Sequence, residues 1–545
     1  MTERVRADEG HHDNSVSRRA FMHRGLSAGA LLFAPAALGR GMPHEVSKPL
    51  RSVATRVPTD PFTLGVASGE PTADGIVLWT RLAPEPLADD GLGGMAHHSV
   101  AVDWQLAEDP GFRRPVRTGT EHTDPATAHS VHVEVDGLAP AREYWYRFRV
   151  GHYQSPVGRT RTAPAATSLA PLFFASSSCA HWEHGYFTVY RHIANAAPDV
   201  IFCLGDYYYE GGPHYDPPLS AIVRTHVGRR CRSLSDYRRR HAQYKTDPDL
   251  QAAHAVAPWL VVPDDHEVEN NWAGDHAYRP KDAHRFLTMR TAAYQAYWEH
   301  MPLRRASRPV GSHMQLFRTA KWGALATFHL LDTRQFRDAQ ACAGGEMPLC
   351  SPSRKETRTM LGAAQEAWLA DGLTRSRARW DVLAQQVMFC STARDFNGQG
   401  AMVPPDTVNV DCWDGYPAAR DRLLSNVRAA NLRNFAVLTG DVHNHWAADI
   451  PGLIDGLPMG AELVTSSVTS RGDGEPEPRW VPAAQRRHPN LHYWDGRRGW
   501  IAGHLTAERL RADYHVVQRV STPFWPDSVA ASFEMADGLP GLRRI

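Results

Sequence analysis

Four short apolar segments of the sequence each run into side chains that can bind a metal ion. In open α/β sheets, ligand sites lie outside the carboxyl ends of the strands, so four such endings predict one shared site. Taken alone, a segment such as LGDYYYEGG at 204–212 is also typical of an ordinary strand-to-loop turn with half-buried tyrosines. The recurrence favours the metal site. The candidate ligands are Cys179, Asp206, Tyr209, Asp265, Asp441 and His443.

The chemistry of these side chains indicates which ions they would hold. A phenolate from Tyr209 and a thiolate from Cys179 must both be deprotonated near neutral pH, which favours a highly charged, redox-capable ion. Ferric iron fits best, because zinc does not ordinarily recruit a tyrosine. The carboxylates of Asp206, Asp265 and Asp441 suit a hard divalent ion such as calcium. The sequence therefore predicts one ferric ion beside one or two calcium ions.

A bridging carboxylate would join the two ions into one catalytic centre, and Asp206 is the candidate for that role. Two metal ions roughly 3.5–4 Å apart form the clamp used in phosphoester hydrolysis. Because no serine or threonine elbow follows a strand in the right setting, we expect a metal-bound hydroxide to attack phosphorus in line. His266 or a nearby arginine would stabilise the charge that develops in the transition state.

Each candidate ligand has an alternative. Tyr209 could serve only as core packing, and His445 competes with His443 for the same role. Asp264 could replace Asp265 as the ligand, because successive side chains along a strand point in opposite directions.

Five longer motifs surround these candidates in a fixed order. They are SSSCAHWEHGYF at 176–187, LGDYYYE at 204–210, DDHEVENNW at 264–272, LDTRQFR at 331–337 and GDVH at 440–443. Together they resemble the PhoD-like alkaline phosphatase family, over about residues 60–530. The resemblance implies a calcineurin-like metallophosphoesterase fold, one ferric ion with calcium, and cleavage of phosphomonoesters and phosphodiesters. Some secreted members of the family are similar enough to be called phospholipase D.

The resemblance also suggests a role for each site residue. It implies that Asp206 bridges the ions and that Tyr209 is the phenolate on iron. From its place in Asp-Asp-His-Glu, we expect His266 to contact phosphate rather than metal. Related purple-type phosphatases carry an Asp where Cys179 stands and a His-x-His where Asp441-x-His443 stands. Extra carboxylates in place of neutral ligands favour calcium over zinc at the second site.

The elements that must position these residues fall into two regions. Residues 165–545 alternate strands with helices, predicted at 186–197, 287–301 and 360–376, and core strands at 380–389 and 434–438. Residues 61–164 are all β, and their Leu-x-Pro-x-x-x-Tyr corner at 138–144 resembles a fibronectin-III-like sandwich. The predicted fold class is α/β, a two-sheet metallophosphoesterase sandwich with an N-terminal all-β domain.

The first 45 residues are typical of an export signal. SRRAFM at 17–22 is a twin-arginine core, and the apolar stretch at 25–34 is too short to span a bilayer. A disordered basic tail is the alternative interpretation. We expect a Tat-type signal over 1–45, a linker over 46–60 and a product that is secreted, periplasmic or bound to the cell wall. No other segment reaches transmembrane length.

The overall composition excludes some partners. Sixty basic and fifty-nine acidic side chains among 545 residues give a net charge of +1, which does not support a nucleic-acid partner held by bulk electrostatics. The basic clusters at 229–232 and 238–240 are expected to be solvated helix faces. Among the seven cysteines, Cys342 and Cys350 bracket a short loop that one disulfide could close, Cys203 is expected in the core, and Cys179 is the candidate free thiol.

The sequence is also compatible with two other functions. A phospholipase D-like hydrolase of phospholipid diesters would use the same active-site chemistry, with a different pocket. A non-catalytic binding protein on a decayed fold would be expected to lack ligands, yet all six are present. The expected partners are small phosphate esters or phospholipids, together with the Tat export machinery.

Overall fold

The computed structural model describes residue 57 and residues 59–545, except for 219, 343, 397–401, 455 and 477–480. The predicted signal and almost all of the predicted linker therefore lie outside the described residues, and both stay predictions. These described residues belong to one compact unit. None of the helices in the described part of the chain is long and apolar enough to cross a membrane.

The first eight strands build the all-β region that the sequence predicts. They are β1 (Val66–Gly69), β2 (Ile76–Arg81), β3 (Val100–Ala107), β4 (Pro115–Thr123), β5 (Ser130–Val135), β6 (Glu143–Val150), β7 (Tyr153–Gln154) and β8 (Gly158–Arg161). Strands β1, β2 and β5 face a second sheet, made by β3, β4, β6, β7 and β8, across a shared apolar core. The predicted corner is present, since the Ala139 N–H donates to the Tyr144 hydroxyl at 3.0 Å. The likeness to fibronectin III stays a prediction.

The rest of the chain alternates strands and helices before it returns to strands. The elements are β9 (Leu172–Ser177), α1 (Thr188–Ala196), β10 (Val200–Cys203), α2 (Leu234–Lys245), α3 (Pro248–Val256), β11 (Pro258–Val261), α4 (Phe286–His300), β12 (Arg318–Trp322), β13 (Ala326–Leu330), β14 (Glu346–Pro348), α5 (Gly362–Arg375), β15 (Trp380–Ala384), β16 (Arg394–Phe396), β17 (Met402–Asn409), α6 (Pro417–Ala430), β18 (Phe435–Thr439), β19 (His445–Pro451), β20 (Pro458–Val464), α7 (Val481–Arg487), β21 (Leu491–Asp495), β22 (Arg498–Leu505), β23 (Arg509–Val517), β24 (Asp527–Ala536) and β25 (Leu539–Arg544).

Two large sheets pack face to face, as the two-sheet prediction requires. The ten-stranded sheet has the order β25-β24-β23-β22-β9-β10-β11-β1-β2-β5, and the seven-stranded sheet has the order β12-β13-β15-β18-β20-β19-β21. Apolar side chains of both sheets share one core, which includes Phe174, Phe202 and Phe328. Successive side chains of a strand point to opposite faces. Ile201 therefore packs outward against α1 to α4, and α5 and α6 cover the outer face of the other sheet.

Parallel strands at the centre of each sheet bring their carboxyl ends to the same edge. Strands β9, β10 and β11 run parallel in the larger sheet, and β13, β15, β18 and β20 run parallel in the smaller one. The helices predicted at 186–197, 287–301 and 360–376 correspond to α1, α4 and α5. The strand predicted to reach residue 389 ends at Ala384, and the side chain of the next residue, Gln385, donates to the Val387 carbonyl and to Thr439.

The expectation that the basic clusters are solvated was wrong for three arginines. Arg238, with 7% of its side chain exposed, pairs with Glu299, and Arg240 donates to the carbonyls of Tyr209 and Gly211. Arg230 pairs with a set of buried carboxylates that come from distant parts of the sequence, which is why the local run of charges did not reveal its burial. Its partners are Glu210, Glu269 and Asp282.

The cysteine predictions are confirmed. Cys342 and Cys350 form a disulfide, and the other five cysteines are free and buried. The disulfide closes the loop that carries β14, which pairs with β17 in a small three-stranded sheet. Cys203 is 1% exposed in the core, as expected.

The burial of Arg230 predicts a large effect on stability. Removal of one partner from a buried ion pair typically costs about 3–5 kcal/mol, because it leaves uncompensated charge. Arg230→Met should therefore lower the free energy of unfolding by about this amount at neutral pH, as measured by denaturant unfolding. The matched control is Arg229→Met, at a side chain that is 72% exposed, which should leave stability nearly unchanged. Equal unfolding midpoints for the two variants would contradict the prediction.

Candidate metal centre

The predicted ligands meet where strands of both sheets end. Cys179 follows β9, Asp206 and Tyr209 follow β10, and Asp265 follows β11. The residues after β18, Asp441 and His443, come from the other sheet. The candidate site therefore lies at the joint between the two sheets, where the sequence pattern placed it.

Four of these residues have an unusual backbone conformation. The φ angles of Cys179, Asp206, Asp441 and His443 are 60°, 52°, 60° and 60°. A non-glycine residue in this left-handed region costs on the order of 1–3 kcal/mol, and such residues cluster at functional sites. The surrounding loops hold the four side chains in place against this cost.

Two groups of ligand atoms form at this joint, and Asp206 belongs to both. The first group contains Cys179, Asp206 and His443, and the second contains Asp206, Asp265 and His266; within each group all ligand atoms lie within 4.8 Å of one another. A side chain common to two adjacent groups is suited to bridge two cations.

Tyr209 lies against the first group. Its hydroxyl donates to Asp206 Oδ2 at 2.9 Å and lies 3.1 Å from His443 Nε2. Its ring packs between the imidazoles of His181 and His266, with centroid distances of 4.4 and 4.0 Å. Tyr209 is therefore held beside both Asp206 and His443, while its neighbours Tyr207 and Tyr208 bond away from the site, to His254 and to the Glu267 carbonyl.

The first group has the donor chemistry that a cation needs. Burial raises the pKa of Tyr209 and of Cys179 well above their ordinary values, and the nearby Asp206 carboxylate adds to both shifts. Burial, and then the charge of Arg471, lower the pKa of His443, which leaves its imidazole neutral and able to act as a ligand. The thiol and the phenol would ionise only with a counter-charge, and a bound cation supplies it.

The second group distinguishes two adjacent aspartates. Asp264 Oδ1 accepts a hydrogen bond from Arg334 Nε at 2.5 Å, so this carboxylate is already engaged. Asp265 Oδ2 accepts from the Asn271 N–H at 2.6 Å, and Oδ1 of Asp265, like Oδ2 of Asp264, is buried without a hydrogen-bond partner among the described residues. Of the two aspartates, Asp265 is the one whose carboxylate is grouped with Asp206. An unsatisfied buried carboxylate oxygen beside Asp206 fits a cation ligand. The geometry therefore favours Asp265 over Asp264.

His266 has the surroundings of a proton donor. Its Nδ1 lies 2.8 Å from Glu210 Oε2. Burial opposes its charge, but Asp265, Asp206 and Glu210 outweigh burial and raise the pKa of His266 well above its ordinary value. A protonated imidazole donates two hydrogen bonds and binds no metal. This state suits contact with phosphate, although the ring lies within ligand distance of the second group.

The remaining candidates are separated from both groups. His445 lies outside them, because its Nδ1 accepts from the Ser466 N–H at 3.0 Å and its Nε2 lies 3.3 Å from the His515 carbonyl. Asp441 belongs to neither group, but it borders the same cavity, with Oδ1 3.8 Å from Arg334 Nη2. The structure thus brings His443 to Tyr209 and leaves Asp441 at the edge of the site.

Arg334 and Asp411 lie buried beside the candidate ligands, and the sequence did not predict either of them as a site residue. The Arg334 side chain is 1% exposed, binds Asp411 Oδ2 at 2.7 Å, and places Nη2 3.8 Å from Asp265 Oδ2. The sequence motif LDTRQFR contains Arg334, so a sequence signal that could have identified this residue was present. Asp411 had none, because its partner Arg334 lies 77 residues away along the chain.

Glu267 joins the loops that follow β10 and β11. Its carboxylate accepts hydrogen bonds from the N–H groups of Tyr207 at 2.6 Å, Asp264 at 2.8 Å and Asp206 at 3.2 Å. Burial raises its pKa to about 8, against the effect of these N–H groups. The two loops approach so closely at Gly205, with a φ of 102°, that a Cβ there would lie 2.3 Å from Asp264 Cβ.

A cavity of about 510 Å³ opens over both groups. Cavities of roughly 300–1,000 Å³ hold small organic ligands, so this one has room for a phosphoryl group and its substituent. The side chains that border it combine ligands with indoles and guanidinium groups. They include Asp206, Asp265, His266, Asp441, His443, Trp446, Arg471, Trp494 and Arg498.

Known proteins with the same organisation are phosphatases. The family model described as PhoD-like phosphatase matches residues 174–514, and the model of the N-terminal domain of PhoD-like phosphatase matches residues 47–164. Alkaline phosphatase D of Bacillus subtilis (strain 168) is 43% identical over 542 residues, which cover 99% of this chain and 91% of that protein.

Solved structures agree with this similarity. A structure of PhoD is 44% identical with a TM-score of 0.87, and the match covers 90% of this chain and 93% of that one. Purple acid phosphatase PPD1 from yellow lupin seeds has a TM-score of 0.53 at 13% identity, over 88% of this chain and 75% of that one. The second likeness shows a shared fold, of the metallophosphoesterase kind that the sequence predicts.

The geometry predicts different consequences for two substitutions. Asp206→Asn should lose bound metal and activity together, because this carboxylate belongs to both groups. His266→Ala should keep the metal and lose about 10²–10³ in kcat, the typical effect of removing one transition-state donor. Metal content by mass spectrometry, measured with turnover, tests both. The role assignment is wrong if His266→Ala is free of metal while Asp206→Asn retains it.

Proposed function

This chain belongs to the PhoD-like phosphatase family, and from that membership we propose that it hydrolyses phosphoric esters as an alkaline phosphatase and phosphodiesterase. The observation that carries the proposal is Asp206, which two cation-capable groups share below a cavity with room for an ester. An extensive likeness to alkaline phosphatase D supports the same chemistry.

We assign the first group to one ferric ion and the second to one or two calcium ions. Cys179, Tyr209 and His443 combine a thiol, a phenol and an imidazole, a donor set that suits ferric iron better than zinc. Asp265, with Asp441 at the edge of the cavity, offers oxygen ligands suited to calcium. When bound, the cations would supply Lewis-acid activation of water and charge compensation for the phosphoryl oxygens.

The protein's own residues orient these groups and the substrate. Arg334 holds Asp264 and Asp411, which limits the freedom of the neighbouring carboxylates. His266 holds a proton that it can donate to an ester oxygen, and Glu210 fixes its ring through Nδ1. The nearly buried indoles of Trp446 and Trp494 border the cavity and restrict the access of bulk water.

Export by the Tat pathway belongs to the same proposal. The twin-arginine motif at 17–22 supports it, as does the choice of cations, because Tat export carries folded proteins that have already received a metal. The chain would then act outside the cytoplasm on small phosphate esters, with the Tat machinery as its partner in transit.

Activity on defined esters tests the proposed reaction. The purified protein should hydrolyse p-nitrophenyl phosphate and bis(p-nitrophenyl) phosphate, and EGTA should abolish both activities until calcium is added back. Asp206→Asn serves as the inactive control. A preference for phosphatidylcholine vesicles over both soluble esters would favour the phospholipase D-like alternative. Binding of phosphate without any turnover would favour a non-catalytic protein. Full activity after exhaustive EGTA treatment would contradict the calcium assignment.

Iron with a tyrosine ligand predicts a coloured protein. Charge transfer from the Tyr209 phenolate to ferric iron should give a visible absorption band, and Tyr209→Phe should bleach or strongly shift it. The matched control is Tyr208→Phe, because that hydroxyl bonds the Glu267 carbonyl instead of facing the site, and the band should remain. A colourless, iron-free and fully active preparation would rule out the ferric assignment.

A further inference from the structure

A buried loop after β20 delivers one arginine to the catalytic cavity. Residues 465–470 are buried, with at most 1% exposure, and the next residue, Arg471, is exposed and borders the cavity. The φ of Arg471 is 69°, in the left-handed region that disfavours side chains with a Cβ. In this otherwise buried loop, the strained backbone conformation therefore occurs at Arg471, the residue that borders the cavity.

Hydrogen bonds on the N-terminal side fix the backbone before Arg471. The carbonyl of Ser470 accepts from Arg498 Nη1 at 2.5 Å and from the Ser467 hydroxyl at 3.0 Å. The Ser470 hydroxyl lies 2.6 Å from the Tyr209 hydroxyl and 2.8 Å from the Cys179 carbonyl. The position of Arg471 is thus tied directly to the first ligand group.

The backbone of Arg471 itself is also held. Its N–H donates to His184 Nδ1 at 3.0 Å, and the N–H of Gly472 donates to the Thr469 carbonyl at 2.9 Å. Because hydrogen bonds fix the main chain on both sides, the conformational freedom of Arg471 is confined to its side chain. The guanidinium can therefore reach into the cavity without a movement of the loop.

No ion pair joins the Arg471 guanidinium to a carboxylate of the described residues, although Glu475 borders the same cavity. The other arginine of the wall, Arg498, is buried and engaged by Ser467, Ser470 and the Gly496 carbonyl. Of these two arginines of the wall, Arg471 is therefore the one that is exposed to the cavity. A guanidinium presents a planar fork of donors that matches two phosphoryl oxygens.

We propose that Arg471 is a catalytic residue that binds the non-bridging phosphoryl oxygens of the substrate and favours phosphomonoesters over phosphodiesters. The inference rests on the proposed function and specifies its substrate class. A phosphomonoester carries nearly two negative charges above its second pKa of about 6, whereas a diester carries one. Coulomb attraction is proportional to the product of the charges, so the arginine stabilises the monoester more.

The experiment compares Arg471→Gln and Arg471→Lys in the metal-loaded enzyme. Both replacements are unbranched, so the backbone strain at this position changes little. Arg471→Gln should lower kcat/KM for p-nitrophenyl phosphate by about 10²–10³. The loss for bis(p-nitrophenyl) phosphate should be about 10–30-fold, because half the charge halves the lost interaction free energy. The inhibition constant of inorganic phosphate should rise, the metal content should be unchanged, and Arg471→Lys should recover part of the monoester activity.

The matched control is Arg428→Gln, at an exposed arginine of α6 away from the cavity, which should match the unmodified enzyme. Equal losses for both esters with loss of metal would show a structural role and overturn the proposal, as would unchanged kinetics in Arg471→Gln. If the unmodified protein hydrolyses neither ester, the proposed function fails. Calorimetric binding of inorganic phosphate, expected to weaken in Arg471→Gln and to be equal in the control, then still tests the arginine.

Discussion

An excess of buried carboxylates at the joint of the two sheets constrains the rest of this molecule. Asp206, Asp264, Asp265 and Asp411 are each at most 3% exposed, and Arg334 is the guanidinium among them. Burial raises the pKa of Asp206 well above its ordinary value, with the neighbouring carboxylates adding to the shift and His266 opposing it. Burial also raises the pKa of Asp264 to about 6, against the effect of Arg334. Side chains alone leave this cluster partly protonated. Bound cations would allow these carboxylates to ionise, so the fold forms a site suited to cations.

The backbone around the cluster accepts strain to keep the ligands together. Cys179, Asp206, Asp441 and His443 all have left-handed φ angles, and no helix or strand supports these conformations. The supports are side chains that bond backbone groups, such as Glu267, which ties the loops after β10 and β11. Function and stability are therefore in tension here, since the geometry that assembles the ligands costs the fold conformational energy.

Local patterns were enough to locate most of the site. Short apolar segments predict the strands, and the helices have a different periodicity. The sequence alone therefore shows which reactive residues come directly after a strand. Parallel strands then place those points at one edge, which is how Cys179, Asp206, Tyr209 and His443 could be predicted together. The disulfide was predictable for a similar reason, because Cys342 and Cys350 are only 8 residues apart.

The sequence by itself determined that the candidate ligands follow strand ends, the chemical types of these candidates and the α/β architecture, because each follows from spacing along the chain. Only the tertiary structure decided which way adjacent side chains point and which distant charges pair. Asp265 faces Asp206 while Asp264 turns to Arg334, and Ser470 reaches Tyr209 across 261 residues. The burial of Arg230 among acids has the same origin. Such pairings depend on long-range packing and on the local dielectric, and neither has a periodic signature in the sequence.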